Sequence, residues 1–413
     1  MPVKVFVGDS GELMLPIEQR CRWGLSPGAE FEVEETSRGL LLHRKDPVLA
    51  RVYVEPTSAC NLSCRTCVRN SWSEPMGTMS MEVYRRLIEG LRGVPSLKKM
   101  SFWGFGEPLL HPHIVEMVAM AKRLEAETQV ITNGLLLNRQ MADALVWAGL
   151  DSIVISVDGA TPEAYSRVRT GADLRLVQRN VEGLLEARDK SGRGNPEIGL
   201  EFVVMRRNVG ELRKLHNLAL DMGASFIVLT NVLPYTEELS DEILYGLITG
   251  GLYPMPRSKW RPEIRVPRMD SRREVLDPLM GLLEHASAVD PPAGPLDGGA
   301  HCRFVNEGSA VVAWDGELSP CIPLMHSYPC YIMRRPKQIR RYTLGNTGKE
   351  SITSIWAHEE FVRFRALVQQ FDFAPCSNCG GCHMVESNEE DCFGNTFPVC
   401  GDCLWARGVI QCP

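Results

Sequence analysis

The sequence predicts an α/β protein whose central unit is a parallel β/α barrel or partial barrel. Between about residues 50 and 231, six apolar runs of strand length alternate with amphipathic helical stretches, an arrangement typical of a parallel sheet. The glycine-rich signals of a doubly wound nucleotide-binding sheet are absent from this region. The polar and cysteine motifs follow the ends of predicted strands, where barrels of this kind place their chemistry.

Length and composition limit the class of protein. A chain of 413 residues with 44% hydrophobic and 23% charged residues is expected to form two or three globular domains. No apolar run approaches the ~20 residues that cross a bilayer. The start of the chain lacks a basic segment followed by an apolar one, which predicts a cytoplasmic protein without a signal peptide. A net charge of −6 gives no general attraction to nucleic acid or to a membrane.

Residues 1–47 are predicted to form a small β domain. The stretch GELMLPIEQRCRWGLSPGAEFEVEE indicates a strand, a helical turn that starts at a proline, a turn, and an alternating strand with Phe31 and Val33. It resembles the AbrB/MazE-like swapped-hairpin family, in which two chains interleave and often bind DNA. Residues 1–47 contain six Lys/Arg and eight Asp/Glu, a net charge of −2, so DNA binding is not expected. The resemblance implies a homodimer or partner contact through residues 1–47.

Residues 48–232 carry the predicted barrel. RVYVEPT is its first strand, and KKMSFWGF, QVITN, SIVISVD, IGLEFVVM and SFIVLTNV are the later strands. Ser80 is predicted to cap the first helix, and Asn208 with Glu211 to form a capping box before the last one. The proline- and glycine-rich segment 233–300 is predicted to be an irregular connection to a cysteine-rich domain at 301–413. The predicted buried positions of the first and last helices are Tyr84, Leu87, Ile88, Leu91, Leu212, Leu215, Ala219 and Met222.

The spacing C-x-x-x-C-x-x-C of Cys60, Cys64 and Cys67 follows directly on the first barrel strand. Clustered thiols in a reducing compartment indicate metal or redox chemistry. Three thiolates can hold three irons of a 4Fe–4S cluster and leave the fourth iron for a ligand that is not protein. The alternative is a zinc site, but structural zinc takes four protein ligands, and no further His or Cys lies nearby in the sequence.

The same cysteine motif, together with GFGEP, TNG and SVDG after the next three strands, resembles the radical S-adenosylmethionine (SAM) superfamily. The resemblance implies a partial (β/α)6 TIM-like barrel. In that family the open iron binds SAM, and an electron from the cluster cleaves SAM to a 5′-deoxyadenosyl radical that takes hydrogen from the substrate. A low-potential donor such as ferredoxin or flavodoxin is then expected.

The resemblance also implies a set of SAM contacts. Glu107 and the glycines around it would receive the methionine ammonium, and Ser156 and Asp158 would contact the ribose and carboxylate. Arg169 would bind the SAM carboxylate, with Arg167 as the alternative, because a guanidinium fork matches a carboxylate. The full set carried over from the family is Gly104, Gly106, Glu107, Pro108, Asn133, Ser156, Asp158, Arg169 and Val204.

Two of these positions, and two departures from the family pattern, concern the nucleoside. Asn133 and Val204 would line its pocket by the same resemblance. Thr66 stands where the family commonly has an aromatic residue against adenine, and Phe105 interrupts the glycines of the G-G-E-P element. Both departures concern the packing of adenine.

The ten cysteines from Cys302 onward exceed the eight that two fully ligated cubanes need. Cys302, Gly316 and Cys321 begin a pattern that resembles the SPASM domain, which implies one or two auxiliary clusters. Cys302 and Cys321 would share one cluster with a late cysteine. Cys376 and Cys379 would hold the other with help from Cys382, Cys392, Cys400 or Cys403, and Cys412 is a further candidate ligand. A zinc ribbon built on the two C-x-x-C pairs is the alternative.

The remaining cysteines and histidines have simpler interpretations. Cys21 and Cys330 are interpreted as structural. His111 and His113 are expected to be loop or packing residues, and His383 could replace a cysteine ligand.

Three functions remain open. Over about residues 50–413 the chain most resembles radical SAM maturases associated with tungsten-containing aldehyde ferredoxin oxidoreductases, which implies action on such an enzyme or its pterin cofactor. The second is a peptide-modifying SPASM enzyme that forms crosslinks in a precursor. The third is a zinc-bearing, DNA-binding regulator without catalysis, against which the acidic N-terminal unit and the ordered SAM elements both count.

Overall fold

The computed structural model describes residues 6–8, 12–16, 31–36, 39–44, 47–245, 263–290, 301–376 and 382–412. Within these residues the main sheet has eleven strands in the order β12-β11-β10-β9-β8-β7-β6-β5-β13-β14-β17. Its strands are β5 (Arg51–Val54), β6 (Lys99–Phe102), β7 (Glu127–Thr132), β8 (Ser152–Ser156), β9 (Glu197–Val204), β10 (Phe226–Asn231), β11 (Glu263–Arg265), β12 (Ala288–Asp290), β13 (Ser309–Val312), β14 (Glu317–Ser319) and β17 (Gly345–Asn346). Three two-stranded antiparallel sheets pair β1 (Phe6–Val7) with β2 (Leu13–Met14), β3 (Phe31–Thr36) with β4 (Gly39–Arg44), and β15 (Tyr328–Ile332) with β16 (Arg335–Ile339).

Helices cover one face of the parallel strands and also lie in the C-terminal domain. They are α1 (Met81–Leu91), α2 (Ile114–Lys122), α3 (Arg139–Ala148), α4 (Pro162–Val168), α5 (Leu174–Ser191), α6 (Leu212–Asp221), α7 (Arg273–Leu283), α8 (Arg303–Asn306), α9 (Ile352–Trp356) and α10 (Glu359–Gln370).

The predicted parallel α/β fold is confirmed. The six predicted strands are β5 to β10, and each is parallel to the next in chain order. β8 is buried along its whole length, as expected of a strand covered on both faces. Ser80 caps α1 by accepting a hydrogen bond from the Val83 amide, and the predicted apolar positions of α1 and α6 are buried.

The predicted capping box at Asn208 is wrong. The Asn208 side chain is buried, donates to the carbonyl oxygens of Asp158 (3.0 Å) and Val203 (2.9 Å), and accepts from the Met205 amide (2.7 Å). Asn208 therefore fastens the carboxyl end of β9 to the loop after β8. A tertiary partner has replaced the local one, because the buried carbonyl groups at these strand ends need donors.

The segment 233–300 is not uniformly irregular, contrary to the prediction. Its described part adds β11, α7 and β12, and both strands continue the parallel sheet beyond β10. Each strand has only three residues, too few to show an alternating pattern in the sequence.

The N-terminal unit contains antiparallel pairs in its described part, β1 with β2 and β3 with β4. The helical turn predicted after Pro16, and Cys21 within it, lie outside the described residues. Its likeness to the swapped-hairpin family and the predicted dimer stay predictions.

The C-terminal domain is joined to the barrel through the sheet itself. β13 pairs in parallel with β5, with Ser309 opposite Arg51 and Val312 opposite Val54. Of the helices in the described ranges, none combines the length and apolarity that crossing a bilayer would require.

Candidate functional site

The three-cysteine loop leaves the carboxyl end of β5. Cys60, Cys64 and Cys67 are half-buried free thiols. Burial raises the pKa of the Cys64 thiol to about 11, even though the nearby Arg169 guanidinium acts in the opposite direction. Three thiols on one short loop, with no disulfide to any described cysteine, fit the donor set of an open 4Fe–4S cluster.

Glycine lets the GFGEP element lie directly against this loop. A Cβ atom placed on Gly106 would come within 2.0 Å of the Thr57 carbonyl oxygen and 2.6 Å of the Ala59 carbonyl oxygen. The amide of Glu107 donates to that Ala59 oxygen at 2.8 Å. A Cβ on Gly104 would meet the Glu55 side chain at 2.4 Å. Gly106 thus allows two backbone segments to pack closely, and Gly104 leaves room for the Glu55 side chain.

Glu107 is buried and already held by protein donors. Its carboxylate accepts from the Leu109 amide (2.9 Å), the Thr132 hydroxyl (2.7 Å) and the Asn133 amide (2.8 Å). Burial raises its pKa, although these three donors oppose the shift. A carboxylate has about four acceptor positions, so one remains for an ammonium group. The next residue, Pro108, is buried and begins the short 3-10 turn Pro108–Leu110.

Asn133 contacts the cysteine loop. Its side-chain amide donates to Asn61 Oδ1 at 2.8 Å and lies 3.8 Å from Cys60 Sγ. The observed contacts of Asn133 therefore orient the first cysteine from the end of β7.

Asp158 and Arg169 form a buried ion pair at the end of β8. Arg169 Nε lies 2.9 Å from Asp158 Oδ2, yet neither atom makes a well-directed hydrogen bond to any described residue. Burial disfavours the charged guanidinium, but the Asp158 and Cys64 charges outweigh burial and raise the Arg169 pKa. Because buried polar atoms normally have hydrogen-bond partners, two that lack one are suited to bind a polar ligand. The alternative residue, Arg167, is exposed to solvent.

Glu201 is a buried carboxylate in this region that the sequence analysis missed. It lies in β9 and accepts a hydrogen bond from the Ser156 hydroxyl at 3.1 Å. Burial and the Asp158 charge raise its pKa to about 7, against the effect of Arg169. A single glutamate inside the apolar strand IGLEFVVM is the signal that could have identified it.

Val204 does not reach this site. It is fully buried in the hydrophobic core, and side chains alternate along a strand, so it faces away from Glu201 three positions earlier. Val203 shares the Glu201 face and is partly exposed. The prediction that Val204 lines the nucleoside pocket is therefore one residue out of register.

A buried histidine, also missed from the sequence, joins the C-terminal domain to the cysteine loop. His326 lies with Nε2 2.8 Å from Glu55 Oε2 and Nδ1 2.6 Å from Glu74 Oε2. Glu55 also accepts from the Phe105 amide at 3.0 Å. The imidazole packs against the Trp72 ring, with 4.7 Å between centroids. The Phe105 that interrupts the glycine motif thus packs at this junction, 5.8 Å from His326 between ring centroids.

Four C-terminal cysteines converge. Burial, followed by the charges of Cys302, Cys403 and Cys400, raises the pKa of Cys321 well above its usual range. Cys321, Cys400 and Cys403 also line one small cavity of about 50 Å³. The sequence assigned Cys400 and Cys403 to the other cluster as candidate helpers, whereas the structure brings them to Cys302 and Cys321.

The other predicted ligands are more exposed. Cys376 is half-buried, with Cys392 among the charges that raise its pKa after burial, while Cys382, Cys392 and the neighbouring His383 are exposed. Cys379 lies outside the described residues.

Cys330 and Cys412 are buried. Cys330 lines the same small cavity as Cys321 and is thus less isolated than the sequence indicated. Cys412 instead accepts a hydrogen bond from the Trp405 indole at 3.3 Å, in the wall of a separate cavity. In the part of the chain that the structure describes, no group of three or more His, Cys, Asp or Glu is arranged around a single metal ion. In a cubane each thiolate binds a different iron.

His111 is a buried packing residue, as expected. One ring nitrogen of His111 is hydrogen-bonded to the Met79 carbonyl at 2.8 Å, and the other accepts a hydrogen bond from the His113 amide at 3.1 Å. His113 is exposed.

Two family models match the chain. The radical SAM superfamily model matches residues 54–219, and the model of the SPASM iron–sulfur cluster-binding domain matches residues 302–383. The two models therefore cover the barrel from the end of β5 to α6, and the first part of the cysteine-rich domain.

Among curated proteins, the chain is similar to the tungsten-containing aldehyde ferredoxin oxidoreductase cofactor-modifying protein of Pyrococcus furiosus. The two are 30% identical over 366 residues, which is 88% of this chain and 96% of the relative. Among solved structures, the fold is similar to Streptococcus suis SuiB bound to S-adenosylmethionine, with a TM-score of 0.56, 12% identity, and coverage of 82% of this chain and 72% of that one. It is also similar to anSMEcpe with bound AdoMet, with a TM-score of 0.53, 18% identity, and coverage of 80% and 86%.

Proposed function

We propose, on the premise that this chain belongs to the radical SAM superfamily and carries a SPASM domain, that it is a maturase of a tungsten-containing oxidoreductase or of that enzyme's cofactor. The chain is a radical SAM enzyme, with a 4Fe–4S cluster and SAM implied by its barrel and auxiliary clusters by its SPASM domain. The observation that carries the finer proposal is the similarity to the Pyrococcus furiosus protein across both domains, over nearly the whole length of that relative.

Cys60, Cys64 and Cys67 are the proposed ligands of the catalytic cluster. When bound, the cluster and SAM supply reductive cleavage of SAM and a 5′-deoxyadenosyl radical that removes hydrogen from the substrate. The contribution of the protein is to hold the cluster ligands in position. Asn133 and the close approach of Gly106 support the loop that carries the three thiols.

SAM would be held by the polar groups at the ends of β6 to β9. Arg169 is the proposed partner of the SAM carboxylate, because its guanidinium is buried beside Cys64 and poorly satisfied by Asp158. The remaining acceptor position on Glu107 suits the ammonium. Ser156 and Glu201 lie next along the same face and are proposed to contact the ribose hydroxyls.

Cys302, Cys321, Cys400 and Cys403 are the proposed ligands of one auxiliary cluster, and the cysteines from Cys376 to Cys392 those of a second. A low-potential donor such as ferredoxin or flavodoxin is the proposed source of electrons. The N-terminal unit is proposed to mediate a homodimer.

The radical SAM assignment of the loop is tested by SAM cleavage. Anaerobically reconstituted protein with reductant should convert SAM to 5′-deoxyadenosine, and Cys64→Ala should abolish this because one iron loses its thiolate. Cys21→Ala, which removes a cysteine outside every proposed set of cluster ligands, is the matched control. Cleavage by Cys64→Ala at the wild-type rate would refute the loop assignment.

The maturase proposal needs a substrate assay. A tungsten-containing aldehyde ferredoxin oxidoreductase made without this protein should gain aldehyde oxidation activity when incubated with the enzyme, SAM and reductant. The gain should require SAM and be absent with Cys64→Ala. Active SAM cleavage with no change in the oxidoreductase or its extracted cofactor would remove the tungsten proposal and leave the enzyme class intact.

A further inference from the structure

A cavity of about 360 Å³ lies inside the curve of the sheet, separate from the cysteine loop. Tyr53 of β5, Ser309 of β13 and Arg265 of β11 contribute to its wall, as does the C-terminal tail with Cys412. At about 30 Å³ for each water in the liquid, the volume corresponds to about a dozen waters, enough for a small organic molecule.

The apolar part of the wall is aromatic. Tyr53, Phe304 and Trp405 line the cavity, and the first two rings meet edge to face with 5.8 Å between their centroids. Aromatic walls favour a planar ring in the ligand, because ring pairs add stacking or edge contacts to the burial of apolar area.

Among the described residues that line the cavity, two are arginines, Arg265 and Arg303, and one is a carboxylate, Glu307, so this part of the wall has an excess of positive charge. Arg303 Nε lies 2.6 Å from one Glu307 oxygen, and Arg51, a neighbour that does not line the cavity, lies 3.0 Å from the other. Two guanidinium groups thus share one carboxylate, and all three side chains are only about a third exposed. A surplus cation in partly buried surroundings favours an anionic group, since a charge-assisted pair is about twice as strong as a neutral hydrogen bond.

A second observation points to a ligand here. The Ser309 hydroxyl lines the cavity, is almost fully buried, and has no hydrogen-bond partner among the residues that the structure describes. An unsatisfied buried hydroxyl costs about 1–3 kcal/mol, so such groups are uncommon unless something else pairs with them.

The cavity adjoins the proposed SAM site. The tail is held against the strand ends, with the Gln411 amide donating to Thr230 at 2.9 Å. Cys412, in the cavity wall, is close enough to Glu201 for that carboxylate to raise the Cys412 pKa, after the larger effect of burial. Glu201 in turn contacts Ser156.

We propose that this cavity binds the substrate, or the reacting part of it, as a planar aromatic or heteroaromatic molecule that carries a carboxylate or phosphate group. The proposal rests on the radical SAM function, because it places the molecule beside the SAM site. Arg303 binds the anion, the Ser309 hydroxyl donates to it or to a ring substituent, and the aromatic wall holds the ring.

Direct binding to the full-length reconstituted protein tests the proposal by calorimetry without any turnover. The probes are 2-naphthoate and 2-naphthyl phosphate, with 2-naphthamide as the neutral control and cyclohexanecarboxylate as the control without an aromatic ring. We expect one of the two anions to bind at least about tenfold more tightly than either control, and the tighter anion identifies the group. Equal binding of anion and amide, or no binding of either anion, overturns the proposal even if the protein cleaves SAM.

Two variants locate the binding. Arg303→Met should weaken binding of the anionic probe about tenfold. Ser309→Leu should fill the cavity and abolish that binding. Arg139→Met, which removes a surface ion pair, should leave the affinity for the probe unchanged. The iron content of Arg303→Met should equal that of wild type, which shows that the adjacent Cys302 is undisturbed. If the iron content falls, the result with Ser309→Leu alone tests the location of binding. Binding that survives Ser309→Leu, or that SAM displaces, refutes the assignment to this cavity.

Discussion

Replacing His326 with glutamine should weaken the junction between the C-terminal domain and the cysteine loop, by an amount that depends on pH. In the native protein both imidazole nitrogens face carboxylates, Glu55 at 2.8 Å and Glu74 at 2.6 Å. Burial disfavours the imidazolium, but the hydrogen bonds and charges of the two glutamates outweigh burial and raise the His326 pKa from 6.5 to about 9. Glutamine keeps one donor and loses the charge.

The size of the effect follows from that pKa. Each pH unit by which the folded-state pKa exceeds the unfolded one corresponds to about 1.4 kcal/mol, so the protonated His326 contributes on the order of 3 kcal/mol. Because the folded-state pKa is raised, the contribution is complete below about pH 6.5 and is lost as the pH rises through about 9. The nearby Asp315 and Arg341 pair with each other at 2.8 Å and stay charged over this range.

The assay is the free energy of urea unfolding of wild type and His326→Gln between pH 6 and pH 10, measured anaerobically. The difference between them should be about 3 kcal/mol at pH 6, should fall between about pH 6.5 and 9, and should lose the imidazolium contribution by pH 10. His111→Gln is the control. Burial lowers the His111 pKa, so His111 is already neutral above pH 6.5 and its substitution should show no such decline. A His326→Gln difference that is the same at pH 6 and pH 10 would refute an imidazolium at this junction.

Two other substitutions probe the site. Gly106→Ala places a Cβ against the Thr57 carbonyl, so iron content should fall by about four per chain, while Gly183→Ala, with open space around it, should leave the iron unchanged. Asp158→Asn leaves the Arg169 charge buried without its partner, which should cost about 3–5 kcal/mol in unfolding free energy. Adding Arg169→Met should recover part of that cost, and strictly additive effects would contradict the pairing.

Features with a local cause were predictable from the sequence. The Ser80 cap depends on residues within one helical turn, and six of the parallel strands are long enough to show as apolar runs. The three-cysteine spacing is likewise local, since one loop supplies all three thiols. The short strands β11 and β12 lack such a run, and they form because β10 offers them an unpaired edge.

Features that depend on distant partners could not be predicted. His326 meets Glu55 across 271 positions of sequence, and nothing near either residue indicates the other. At Asn208 the local sequence indicates a helix cap, but the side chain instead donates to the buried carbonyl of Asp158, 50 positions away. A local pattern therefore gave the wrong partner. The grouping of Cys400 with Cys321 is also tertiary, since spacing alone allows several pairings.

The sheet itself fixes how the two cysteine groups are placed. Cys302 precedes β13, and Cys60 follows β5, its parallel neighbour, so the two thiols lie beyond opposite ends of adjacent strands. Four residues at about 3.3 Å each make this part of the sheet span about 13 Å. The aromatic cavity is walled by these same two strands, through Tyr53 and Ser309. Because β5 and β13 share backbone hydrogen bonds, the C-terminal domain cannot shift without moving the strand from which the catalytic loop begins. The barrel and the SPASM domain therefore act as one structural unit around the cavity.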